Sequence, residues 1–117
     1  MLLAIAAGGA LGSVARYLLT LVSLAHLGVG FPWGTLGINV LGSALIGVVA
    51  GVGVSGEWRL LLVTGVLGGF TTFSAFSLET GLLWERSPVL AVGYVAASVI
   101  LALAAFALCF ALARRWA

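Results

Sequence analysis

The chain has 117 residues, of which 63% are hydrophobic and 7% charged, and its net charge of +2 comes from five arginines and three glutamates. A soluble domain carries about 25% charged residues, so this composition excludes a water-facing globular surface and points to an integral membrane protein. The small charge carries no sign of nucleic-acid binding. The lone Cys109, in an apolar run, excludes a disulfide framework and a thiolate metal site.

Four spans are predicted, each near the ~20 residues needed to cross a bilayer. The first covers Leu2–Val22. It has no basic leader and no clear cleavage signal, so it reads as a span and not a signal peptide. Gly8 and Gly12 lie four apart in it, and Arg16 lies near its far end. A loop with His26, Gly28, Gly30 and Pro32 leads to the second span, Trp33–Val54, where Thr35 and Asn39 share a face and Ser43, Gly47 and Gly51 continue the small-residue spacing. Ser55–Arg59 connects to the third span, Leu60–Leu83, with Gly65 and Gly69 at the same spacing. Trp84–Pro88 connects to the fourth, Val89–Leu112, where Tyr94 and Ser98 again lie one turn apart. Trp33, Trp58, Trp84 and Trp116 fall at span ends, as an interfacial aromatic belt requires. Residues 1–117 thus read as a single four-helix transmembrane domain. Most of the 17 glycines are expected to serve close helix packing.

The third span holds the most informative stretch, Gly68-Gly69-Phe70-Thr71-Thr72-Phe73-Ser74-Ala75-Phe76-Ser77. Adjacent glycines weaken a helix, and threonine and serine offer its backbone competing hydrogen bonds. A helix broken near mid-membrane is expected. Irregular backbone at that depth survives only when it is buried in protein or lines a cavity.

The polar residues fall mostly at one depth. Arg16, Asn39, Glu79 and Tyr94 all sit in the half of the bilayer next to the first and third loops, at ~1.5 Å rise per residue. One subunit therefore supplies a polar vestibule to mid-membrane, and an identical, inverted subunit would supply the other half. Arg59, Arg114 and Arg115 against Arg86 give a mild bias to cytoplasmic termini, one that does not exclude insertion in both directions.

Alternatives remain open for individual residues. Asn39, Thr35, Tyr94 and Ser98 can each serve as an interhelical hydrogen-bonding group. Arg16 either pairs with Glu79 or faces a water-filled mouth. Phe70, Phe73 and Phe76, three apart, form either a packing stripe or a path lined by electropositive ring edges. No enzyme site emerges: no nucleophile–base set, no paired carboxylates at one depth, no metal-ligand spacing. His26 is expected in a solvated loop. The lining consists of donors with no acid at its centre, which favours an anion path.

Gly8-Gly9-Ala10-Leu11-Gly12 with Arg16-Tyr17, Gly34-Thr35-Leu36-Gly37-Ile38-Asn39 with Gly42-Ser43, and the third-span stretch with Glu79 together resemble the Fluc (CrcB) fluoride channels over essentially the whole chain. The resemblance implies an all-α, antiparallel, dual-topology homodimer with two fluoride pores, exporting fluoride passively across the cell membrane to relieve its toxicity. It implies a structural Na⁺ at the dimer interface, held by backbone carbonyls of Gly68 and Thr71 from both subunits. It implies pore phenylalanines Phe73 and Phe76, a pore asparagine Asn39, a polar track of Thr35, Tyr94 and Ser98, and a vestibule arginine, Arg16. Ala75 and Ala102 depart from the family pattern, where a hydroxyl is common. The alternative is a small dual-topology drug/proton antiporter. That chemistry needs a carboxylate in the first span, which offers only Arg16.

Overall fold

The computed structural model describes residues 1–116, and over them the regular structure is helical. In chain order the elements are α1 (Leu2–Leu27), α2 (Trp33–Val52), α3 (Gly56–Arg59), a π-helix (Leu60–Leu67), α4 (Gly68–Phe70), α5 (Ser74–Arg86) and α6 (Pro88–Trp116). Four stretches are long and apolar enough to cross a membrane: Leu2–Leu27, Trp33–Val52, Gly56–Arg86 and Pro88–Trp116.

Three of these stretches outrun the predicted spans, because hydropathy marks the bilayer and not the last hydrogen-bonded turn. α1 continues past Val22 to Leu27 and stops at Gly28, whose φ of 76° only glycine adopts freely and whose N–H caps the Leu24 carbonyl. His26 therefore lies in the last turn of α1 and not in a loop, with its Nδ1 2.9 Å from the Val22 carbonyl. α2 ends slightly early, at Val52, on a left-handed Gly53. The third connection shrinks to Ser87, since α5 runs to Arg86 and α6 starts on Pro88. A proline costs nothing at a helix start, where its missing N–H has no intrahelical acceptor.

Glycine sets the helix contacts. A Cβ on Gly8 would lie 2.5 Å from the Leu61 carbonyl oxygen, and one on Gly12 would meet the Val66 oxygen and, at 2.8 Å, the Phe70 nitrogen. The reciprocal side is Gly65, 2.9 Å from the Gly8 Cα by the same construction, and Gly69, 2.6 Å from the Gly9 oxygen. α1 thus runs parallel to the third span with backbone against backbone. α2 runs parallel to α6 in the same way: Gly47 abuts the Phe106 oxygen and Gly51 abuts Ala113 and the Phe110 oxygen. Helices that share no hydrophobic drive toward each other in lipid associate through such close van der Waals packing.

The buried side chains are few. Leu36, Phe76, Leu83, Ala91 and Tyr94 form the core, with Phe31, Val40 and Ala97 against it. Tyr94 is fully buried. This cluster ties α2, α5 and α6 together on the side of the first and third loops, where the polar residues also converge.

Gly12→Ala should weaken the subunit by about 1–3 kcal/mol, the usual cost of forcing atoms into a close contact. Gly93→Ala should be neutral or mildly stabilising, because nothing lies within 4 Å of its would-be Cβ. Thermal unfolding in detergent measures both, and equal unfolding temperatures would contradict this packing.

Candidate functional site

The third span is unwound between α4 and α5. Thr71 leaves the helix with φ −82° and ψ 156°, and helical structure resumes at Ser74. The stretch before it is a π-helix, a form that recurs at functional sites.

Every peptide group at such a break needs a partner. The Thr71 N–H and Oγ1 both donate to the Leu67 carbonyl, each at 2.9 Å. In a continuous helix the Thr72 N–H would bond the Gly68 carbonyl. Here it donates to Asn39 Oδ1 at 2.9 Å, while Asn39 Nδ2 donates to the Thr72 carbonyl at 2.8 Å. One amide on α2 thus grips both sides of one residue of the break. The Ala75 N–H, the usual partner of the Thr71 carbonyl, donates instead to Thr72 Oγ1 at 3.1 Å. The Gly69 carbonyl accepts from Arg16 Nε at 3.2 Å.

The outcome is selective. Gly69 and Thr72 have side-chain partners for their carbonyls. Gly68, Phe70 and Thr71 have lost the donors that helical continuity would provide; Phe70 is buried, whereas Gly68 and Thr71 line the cavity beside the break, with Gly68 exposed at the subunit surface. Free carbonyl oxygens are what a hard monovalent or divalent cation accepts. The donor chemistry of the Gly68 and Thr71 carbonyls would suit a cation. Among the described residues there is no cluster of three or more His, Cys, Asp or Glu.

A cavity of about 480 Å³ opens beside the break and is lined by Asn39, Gly68, Thr71, Phe73, Phe76 and Ser98, among others. Phe73 is 78% exposed and Phe76 only 9%, with ring centroids 5.4 Å apart. Phe76 packs in turn on Tyr94, at 5.1 Å. Ser98 Oγ is buried and has no hydrogen-bond partner among the described residues. A helical serine ordinarily bonds back to the carbonyl four residues earlier, and a buried hydroxyl left alone costs about 1–3 kcal/mol. The wall continues to Ala102, which brings no polar atom.

The three phenylalanines do not form one stripe. Phe70 is buried at 6% exposure, on the inner side of α4. The extended Thr71 resets the helical phase, so residues three apart across it no longer share a face.

Thr35 and Tyr94 stand apart from this cavity, gathered around Glu79. Thr35 Oγ1 donates to Glu79 Oε1 at 2.8 Å, and the Tyr94 hydroxyl donates to Oε2 at 3.1 Å. This removes one of the two alternatives for Arg16 and corrects the expectation of a lining without an acid. Arg16 does not pair with Glu79, because its Nε is directed to the break. An acid does sit among the donors, because Thr35 and Tyr94 present their hydroxyls to it from two helices. The signal was available: Glu79 shares the depth of both hydroxyls. A second cavity of about 320 Å³ reaches Glu79 from Val29, Phe31 and Leu83. Arg86 closes its rim with a hydrogen bond to the Gly30 carbonyl.

Residues 3–110 match the family described as "CrcB-like protein, Camphor Resistance (CrcB)". The chain is 55% identical over 108 residues to a protein of Rhodospirillum centenum named "Fluoride-specific ion channel FluC", covering 86% of this chain and 85% of that one. It is 53% identical over 109 residues to the Rhizobium etli protein of the same name, covering 88% and 87%. With the Phenylobacterium zucineum protein of that name, identity is 51% over 121 residues, covering 97% and 95%. Its four spans and these relatives make it a multi-pass membrane protein, and the chain belongs to the CrcB family.

Proposed function

We propose that this chain is a fluoride-selective channel that exports fluoride passively and so relieves its toxicity. It works as an antiparallel, dual-topology homodimer with two pores and a structural Na⁺ at the subunit interface. The anion path runs beside the third-span break, and the observation that carries it is Ser98: a buried hydroxyl without a partner beside a cavity is a donor held ready for an acceptor. The choice of fluoride rests on the names of the relatives.

Fluoride must exchange its water for protein donors. Asn39 uses one Nδ2 hydrogen on the Thr72 carbonyl, which leaves the other for an anion. Phe73 and Phe76 offer electropositive ring edges, and Ser98 a hydroxyl. Thr35 and Tyr94 donate to Glu79, so each serves the anion only by exchanging the carboxylate for it. Arg16 spends Nε on Gly69, and its remaining guanidinium hydrogens draw anions into the vestibule.

The dimer follows from the exposed side of the break. Gly68, Phe73, Ser74 and Ser77 are exposed on the isolated subunit. Unwound backbone cannot face hydrocarbon, because each unpaired group there costs several kcal/mol. An inverted second copy covers it and brings a second pair of Gly68 and Thr71 carbonyls to the same axis. The break then lies near mid-membrane. The Na⁺ supplies a fixed positive charge between the two anion paths.

Purified protein in liposomes should release trapped fluoride without releasing chloride and without moving protons in exchange. Release of neither anion, or proton-coupled flux, would refute the channel reading. Phe73→Ile and Phe76→Ile keep apolar bulk but lose the ring edge, and each should lower fluoride flux by roughly tenfold in dimers that still assemble. Asn39→Asp keeps the acceptor for the Thr72 N–H but turns a carboxylate toward the Thr72 carbonyl and the path, so it should lose flux and stability together. Normal flux in all three variants would remove these residues from the pore.

Topology has its own test. A single cysteine in place of Glu57, in a Cys109→Ser background, should be labelled from both sides of the membrane across a population of molecules. Labelling from one side only would contradict the inverted dimer.

A further inference from the structure

We infer that Arg16 is a positioning residue for the cation site: through Nε it holds the Gly69 carbonyl and so fixes the turn that frees the carbonyls of Gly68 and Thr71. This rests on the proposed Na⁺ site. It assigns Arg16 a second task, separate from attracting anions.

The hydrogen bonds carry the argument. In a continuous helix the Gly69 carbonyl would accept from the Phe73 N–H, but the chain turns away at Thr71. The carbonyl accepts from Arg16 Nε instead, at 3.2 Å, across 53 residues of sequence. Gly12, one helical turn before Arg16, seats α1 against the Val66 oxygen and the Phe70 nitrogen, and Gly69 itself rides on the backbone of Gly9. The guanidinium therefore reaches the break from a helix packed backbone to backbone against the third span. Asn39 holds the far side of the break at Thr72. Arg16 from α1 and Asn39 from α2 brace the carbonyls of Gly69 and Thr72, Phe70 between them is buried, and Gly68 and Thr71 are left beside the cavity for a cation. A cationic donor next to a cation site costs electrostatic energy that its hydrogen bond to the peptide must offset, and Nε is the part of the side chain aimed at the peptide.

Two substitutions separate the tasks, because of bond counts. Glutamine carries its Nε2 the same number of bonds from Cα as arginine carries Nε. Arg16→Gln thus keeps the donor and removes the charge. Lysine has a methylene at that place and its charge one bond further out, so Arg16→Lys keeps the charge and removes the donor. Hydrogen exchange of the 70–74 amides in the detergent-solubilised dimer reads the turn directly and needs no Na⁺. Arg16→Lys should speed that exchange by about tenfold, the usual effect of losing one hydrogen bond of this kind. Arg16→Gln should leave it within about twofold of the unmodified protein. The Na⁺ concentration giving half-maximal thermal stabilisation should rise in Arg16→Lys and hold in Arg16→Gln, while fluoride efflux should fall in Arg16→Gln. Unchanged exchange in Arg16→Lys would overturn the inference, as would faster exchange in Arg16→Gln alone. If the unmodified protein shows no Na⁺-dependent stabilisation, the cation reading fails, and the exchange data still decide whether Arg16 positions the turn.

Discussion

An interrupted helix in a bilayer must find partners for its peptide groups within the protein, and that single requirement organises this molecule. Hydrocarbon offers no hydrogen bonds, so each N–H and C=O released between Phe70 and Ser74 must be met by a side chain, a neighbouring backbone, an ion or the contents of a cavity. Asn39 takes both groups of Thr72, Thr72 Oγ1 takes the Ala75 N–H, and Arg16 takes the Gly69 carbonyl. These partners come from α1, from α2 and from the break itself. The break is therefore a property of the tertiary fold, and the glycine contacts that press α1 and the third span together are a condition for it.

The same requirement separates structure from transport. Asn39 and Arg16 look like pore residues in the sequence, because both are polar groups in apolar spans. In the structure both spend polar atoms on the backbone of the break, Asn39 its Oδ1 and Nδ2 and Arg16 its Nε. In the proposed channel, what remains for an anion is the unused part of each group, together with Ser98 and the ring edges of Phe73 and Phe76. Glu79 adds a second layer. It orients Thr35 and Tyr94 by accepting from both, and in the proposed channel an anion that used those hydroxyls would have to displace it.

Much of the fold was legible in the sequence, and the reasons are physical. Long apolar runs with almost no charge can only cross a membrane, and glycines four apart can only press helices together. The depth of Arg16, Asn39, Glu79 and Tyr94 followed from a fixed rise per residue. What depth cannot supply is azimuth. It brought Glu79 level with Arg16 but could not show that Thr35 and Tyr94 face the carboxylate while Arg16 faces Gly69. The phenylalanine stripe failed for a related reason. A helical period holds only along an unbroken helix, and one extended residue at Thr71 placed Phe70 inside and Phe73 outside. Helix ends were likewise hidden, since Leu27 and Arg86 stay helical beyond the apolar runs.

The central claim is that side chains satisfy the break selectively, leaving the Gly68 and Thr71 carbonyls for a cation. Isotope-edited infrared spectroscopy of the reconstituted dimer, with a ¹³C=¹⁸O label at one residue at a time, reads this directly. Exchanging a large organic cation for Na⁺ should shift the Gly68 and Thr71 carbonyl bands and leave those of Gly69 and Thr72 in place. Unmoved bands at Gly68 and Thr71, or equal shifts at all four, would contradict the account.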